Sequence, residues 1–249
     1  MHHTITGISI SGKMCTGKDL LAAYYSSILP LLLTDKVGKQ VAFADKLKTL
    51  TDRTNIPLFI HDCYELGYSE NDVKSIEKEI YSCHDKYPLI PGRKPREFLQ
   101  DLGVQLRSIN PNIWIEHLEL QLFKEDDQNT IYIISDCRFK NEIEFANKHN
   151  LIKVLLCTDE LIRHERVVAF RGADQATQEI YNHISEKDLD NLPHHTFDIH
   201  IDNSSSLVNL FNNSKIELLK SSFLQDIIVK PVRDAFRVLR GSHIGFLGC

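Results

Sequence analysis

Apolar residues fall along this chain in five short clusters, separated by longer stretches with helical spacing. The clusters cover residues 5–11, 40–44, 130–135, 152–157 and 197–202. The third contains "IYIIS", with almost no polar break, which predicts a central parallel strand buried on both faces. Amphipathic patterns lie between the clusters. "LLAAYYSSILP" follows the first and is expected to stop at Pro30. "DKLKTL" follows the second, with Asp45 in place to cap a helix. "KPREFLQDLGVQL" carries Pro95 in its first turn, where proline is tolerated. "WIEHLELQLF" precedes the third cluster and "FKNEIEFANKH" follows it, and "SSSLVNLFNNSKIELLKSSFL" follows the fifth. Strands alternating with helices predict an α/β chain with a five-stranded parallel sheet flanked by helices. Residues 53–95 are less regular and suggest an insertion, and 158–195 form a polar connection longer than ordinary loops, which suggests a lid.

The first strand runs into "GKMCTGKD", residues 12–19. The spacing G-x-x-x-x-G-K between a strand and a helix is that of a phosphate-binding loop, a P-loop. Gly12 and Gly17 let backbone N–H groups converge on phosphate oxygens, with Lys13 and Thr16 between them, and Lys18 would reach the β- and γ-phosphates of ATP. The helix N-terminus adds its positive end. A glycine-containing turn that binds nothing is the alternative, but it leaves the lysine and the spacing unexplained. The usual Ser or Thr is replaced by Asp19, which suits either a ligand of Mg²⁺ or a plain first-turn acid.

Composition changes this picture little. The 249 residues are 42% hydrophobic and 25% charged, an ordinary globular mixture. A net charge of −5 disfavours nucleic acid as a partner. Six cysteines show no metal-ligand spacing and predict reduced thiols in a cytoplasmic setting. No apolar run is long enough for a membrane span, and the polar first residues do not resemble a signal peptide.

Several stretches resemble the deoxynucleoside monophosphate kinases of tailed phages and large viruses. They are "SGKMCTGKD", "FADKLK" at 43–48, "GRKPREFLQDLGVQL" at 92–106 with "NPNIWI" after it, "SDCRFKNEIEF" at 135–145 and "NHISEKDLD" at 182–190. They occur in the family's order. The loop alone also resembles that of animal phosphomevalonate kinases. The family resemblance implies a P-loop NTPase fold filling residues 1–249 as one kinase domain. It implies an acceptor-side insertion over about 46–112 and a lid over about 158–195, with the tail from about 214 to 249 unplaced. It also implies ATP as donor, Mg²⁺, small nucleotides as partners and a viral source, with the host cytoplasm as location.

Candidate roles follow from charge and position. Asp136 ends the third strand and could bind Mg²⁺ through water or accept a proton, and Arg138 could clamp a phosphate. With Lys18 these form the catalytic set, and Asp19 and Asp136 the metal set. Asp45, Lys48, Arg96, Gln100, Arg138 and Glu142 are the acceptor-side set, Arg96 and Gln100 sharing a helix face. Arg163, Arg166, Arg171, His183 and Glu186 are the lid set. A cap, a structural ion pair or a solvated face is the competing explanation at most of these positions. Lys230, Arg233, Arg237 and Arg240 recur at helical spacing, which fits a solvated face, a polyanion contact or the contact of a homodimer. The rivals to a nucleotide kinase are a kinase for another small phosphate, such as phosphomevalonate, and a nucleotide-binding protein without turnover.

Overall fold

The computed structural model describes residues 5–33, 35–88, 95–125, 127–172 and 181–221, with the backbone alone for Arg171. The basic residues Lys230, Arg233, Arg237 and Arg240, the side chain of Arg171 and residues 92–94 of the "GRKPREFLQ" stretch lie outside that set.

The chain is α/β. Strands β1 (Gly7–Ser11), β2 (Val37–Val41), β3 (Thr130–Cys137), β4 (Ile152–Cys157) and β5 (Ile199–Asp202) form one sheet in the order β2-β3-β1-β4-β5, with every pairing parallel. The helices are α1 (Lys18–Leu32), α2 (Asp45–Thr49), α3 (Ile56–Glu65), α4 (Glu70–Lys86), α5 (Arg96–Ile109), α6 (Ile113–Glu125), α7 (Lys140–Lys148), α8 (Glu160–Arg171), α9 (Ile184–Lys187) and α10 (Leu207–Lys220). One face of the sheet packs Ile8, Ile10, Ile133 and Val154 against Leu21, Tyr25 and Leu29 of α1 and Leu210 and Leu218 of α10. The other packs Tyr132 and Ile134 against α6, α7 and the helices inserted after β2. Among the described residues no helix is long and apolar enough to cross a membrane, and Cys15, Cys63, Cys83, Cys137 and Cys157 are free thiols.

Four expectations about the elements need correction. The helix after β1 does not stop at Pro30 but runs to Leu32. A proline in the last turn forfeits one helical bond, and burial of Ile28, Leu29 and Leu33 beside it offsets that loss. The second strand lies three residues earlier than its apolar run suggests. It is an edge strand with exposed side chains, and Ala42–Ala44 turns away to be held by carboxylates. The described part of the 53–95 stretch, residues 53–88 and 95, is not irregular: α3 and α4 fill most of it. Helix α4 buries Val73, Ile76, Ile80 and Cys83, with His84 beside them, a narrow stripe at helical spacing in a polar sequence. Each such side chain contributes roughly 1.5–3 kcal/mol on burial, and Ser69 caps the helix by accepting from the Asp72 N–H. The polar connection after β4 also begins as a helix, α8, capped by Asp159.

The helical layer buries a histidine with a testable consequence. His117 stacks on Phe59 with ring centroids 4.2 Å apart, and its Nε2 meets Cys63 Sγ at 3.5 Å. Burial holds its pKa down at about 4, below the usual 6.5. Between those values the unfolded chain binds the proton and the folded chain does not. Stability from this group is therefore full above 6.5 and is lost as pH falls toward 4. From roughly pH 7 to pH 5 the loss is about 2 kcal/mol. His117→Phe should shrink that difference in urea unfolding, whatever its own absolute stability. An unchanged pH dependence in the variant would show that His117 is not the group responsible.

Candidate functional site

The carboxyl ends of β1, β3 and β4 meet at the loop between β1 and α1, where the chain switches from one side of the sheet to the other. Open α/β sheets bind ligands at such a crevice. The local sequence explains the loop's shape. Gly12 has φ +152°, and a Cβ there would lie 2.5 Å from the Leu156 carbonyl oxygen. Gly17 caps α1 with φ +97°, and a Cβ there would lie 2.8 Å from Asn203 Nδ2. Thr16 Oγ1 donates to the Lys13 carbonyl at 2.8 Å, which tightens the turn.

Lys18 begins α1 but points back into the loop. Its Nζ donates to the carbonyls of Gly12 at 2.5 Å and Lys13 at 2.8 Å, and the residue is 7% exposed. Burial, with Arg138 nearby, lowers its pKa to about 8, and Glu186, Asp19 and Asp136 act in the opposite direction. Among the described residues only carbonyl oxygens accept from this buried ammonium, so an anionic partner would satisfy its charge. Asp19, one residue on, is exposed on the first turn.

Asp136 lies across the loop at the end of β3. Its two oxygens accept from the backbone N–H groups of Phe43 at 2.8 Å and Ala44 at 3.0 Å. It thus ties β3 to the turn that enters the inserted helices. Burial pushes its pKa up in spite of those bonds. Asp45 is not the N-cap of α2. It sits inside the first turn, where it accepts from the Ala42 N–H at 2.8 Å and pairs with Lys48 at 2.7 Å.

Glu142 accepts from the N–H groups of Arg138 at 2.7 Å and Phe139 at 3.0 Å, which fixes the turn between β3 and α7. Its carboxyl is buried beside Asp136, and burial pushes it up to about 7. Arg107 Nη2 reaches Glu142 at 3.2 Å, and its guanidinium lies 4.1 Å from the centre of the Phe139 ring. Arg138 Nη1 donates to Glu186 Oε1 at 2.7 Å, and the second Glu186 oxygen accepts from the Met14 N–H at 2.6 Å. Glu186 therefore connects the loop to β3. His183, three residues earlier, caps α9 through the Ser185 N–H, and burial lowers its pKa.

A cavity of about 290 Å³ opens beside the first half of the loop. Lys13, Arg138, Arg163, Glu160, Glu186 and Asp190 supply its charged wall, and Leu155, Leu189, Leu192 and Phe197 its apolar wall. Arg163 pairs with Glu160 through Nε at 3.0 Å and Nη2 at 2.6 Å. Arg166 instead donates to the Asn203 carbonyl at 2.9 Å, away from that wall.

The sequence-derived set divides accordingly. Gly12, Lys13, Thr16, Gly17, Lys18, Asp136, Arg138, Glu142, Arg163 and Glu186 converge on the crevice. Arg96 and Gln100 do not line the cavity, and neither makes a hydrogen bond or ion pair with the described residues. Sequence reasoning missed Arg107 and Asn203. Arg107 follows Arg96 by about three helical turns, so helical spacing alone puts it on the same face. Asn203 directly follows β5, at the carboxyl edge, and its Nδ2 donates to the Thr16 carbonyl at 2.8 Å.

For a divalent cation the exposed carboxylate of Asp19 and the half-buried one of Asp136, both felt by Lys18, could offer the oxygen ligands Mg²⁺ prefers. The group His61, Asp62 and Glu65 is a poorer candidate. Lys46 and Lys124 already neutralise Asp62, and Lys124 also holds Glu65. Compared with protein-family models and with curated proteins, the chain matches none.

Proposed function

We propose that the chain is a P-loop kinase of the nucleoside monophosphate kinase type, transferring the γ-phosphate of ATP to a deoxynucleoside 5′-monophosphate. The observation that carries this reading is the buried Lys18. It is bent back into a glycine-framed loop at the switch point of a parallel sheet, with Asp136 and Arg138 facing it. Phosphoryl transfer needs little covalent help from the protein. It needs two anionic groups held in line and their charge neutralised.

Each residue then has a task. The loop N–H groups and Lys18 hold the β- and γ-phosphates. Arg138 meets the transferred group or the acceptor phosphate, and Arg107 supports it through Glu142. Mg²⁺, held by Asp19 and Asp136, would neutralise charge on the β- and γ-phosphates when bound. The helices inserted after β2 present Arg96, Gln100 and Arg107 on one face of α5, where the acceptor's base and phosphate are expected.

A coupled assay of ADP release against a panel of monophosphates tests the reading. Turnover is expected with at least one deoxynucleoside monophosphate and none with phosphomevalonate. Turnover of phosphomevalonate alone would overturn the acceptor and keep the kinase chemistry. ATP binding with no turnover on any acceptor would leave a nucleotide-binding protein without catalysis.

A further inference from the structure

The cavity beside the loop is walled by three cations, and each already holds a carboxylate of the protein. Lys13 Nζ lies 3.2 Å from Asp190 Oδ1 and 4.0 Å from Glu160 Oε1. Arg138 Nη1 lies 2.7 Å from Glu186 Oε1, and Arg163 Nη2 lies 2.6 Å from Glu160 Oε2. All six side chains line the same cavity. They are not all surface pairs: Arg163 is 5% exposed and Glu186 is 7% exposed. Glu186 also accepts the Met14 N–H at 2.6 Å, a backbone donor of the glycine-framed loop. A carboxylate between a loop N–H and a guanidinium occupies the surroundings of a bound phosphate oxygen. The match is incomplete, because Arg163 Nη1 is buried with no hydrogen-bond partner among the described residues.

We propose that Glu186, Asp190 and Glu160 are internal stand-ins for a triphosphate chain, which binds by taking Lys13, Arg138 and Arg163 from them. The proposal deepens the kinase reading and rests on it for the choice of a triphosphate. Leaving the buried Arg163 and the half-buried Arg138 unpaired in the empty site is costly, and the acids lower that cost. They also compete with the ligand, so the observed affinity is the intrinsic one reduced by the fraction of molecules in which the acids have let go. Exchange further selects for chain length. A chain of three phosphates can replace three carboxylates at once, whereas one orthophosphate replaces one and leaves the other pairs in place.

Titration calorimetry with inorganic tripolyphosphate tests this on the wild type, Glu186→Gln and Asp190→Asn, each first shown to be folded by thermal unfolding. Glu186→Gln keeps an acceptor for the Met14 N–H, while its amide NH2 takes the place of the oxygen that meets Arg138, so both the competing charge and the acceptor facing the guanidinium are removed. Tripolyphosphate should bind the wild type well and orthophosphate poorly. Glu186→Gln should tighten tripolyphosphate about tenfold, and Asp190→Asn should tighten it too, which keeps the test open if the first variant does not fold. Unchanged or weaker binding in folded variants would make these acids structural anchors and overturn the proposal. So would orthophosphate binding as tightly as tripolyphosphate. ATP binding tighter than tripolyphosphate identifies a nucleotide as the natural source of the chain, and equal binding points to the chain alone; exchange holds in both cases. Tightening in a protein with no kinase turnover would sink the proposed activity and keep this inference. Turnover without tightening would do the reverse.

Discussion

Lys18→Met should lower kcat by about a thousandfold or more, equivalent to about 4 kcal/mol of transition-state stabilisation, while the protein stays folded. The change removes the ammonium that can span the β,γ-bridge and keeps a flexible chain of similar length. Its effect on stability is a balance. Nζ now donates to the Gly12 and Lys13 carbonyls, and those bonds are lost. The Lys13 carbonyl still accepts from Thr16 Oγ1. Against that loss, the desolvation that lowers the lysine pKa to about 8 is relieved. A melting temperature near the wild-type value with turnover abolished is the expected pair of results. Turnover at the wild-type rate would remove the loop from the chemistry.

Arg138→Ala should reduce kcat/KM about 100- to 1000-fold for every monophosphate that is turned over, the usual cost of losing one donor to developing charge. It should also destabilise the fold, because Glu186 keeps its buried carboxylate and loses its cation. Breaking a fully buried pair costs about 3–5 kcal/mol. Arg138 has a side chain 31% exposed, so a smaller cost, on the order of 2 kcal/mol, is expected. Adding Glu186→Gln to Arg138→Ala separates the two roles. Stability should recover in the double variant while turnover stays low. Recovery of both would mean that Arg138 serves only to hold Glu186. Because the two side chains touch, only the full cycle of single and double variants apportions the effect.

Much of the sheet was legible because strands leave short apolar clusters, and in β3, buried on two faces, the run is nearly continuous. Strand β2 was misplaced for the opposite reason. At the sheet edge its side chains meet water, so the apolar run marks the buried turn after the strand instead. Helix α4 was hidden by its narrow stripe, since four buried apolar positions do not stand out in a charged sequence. The loop was legible because glycines and a lysine at fixed spacing are rare in combination. The ion pairs around it were not. Which carboxylate meets Arg138 depends on how residues 181–195 fold back over the loop, and periodicity carries no information on that. Asn203 was missed because one asparagine after a strand looks like any turn residue. Its role appears only when β5 docks beside β4.

The bond from Asn203 to Thr16 spans 187 positions of the chain. During synthesis the amino-terminal part emerges and begins to fold first. The glycine-framed loop is made well before one of its clamps, Asn203. Contacts so distant in sequence form slowly, since the intervening chain must be ordered before they can close. A nascent chain ending before residue 203 therefore lacks the side chain that braces the loop and the carbonyl that anchors Arg166. Assembly of this loop therefore waits until Asn203 has been made, although the loop's own Thr16 precedes it by 187 positions.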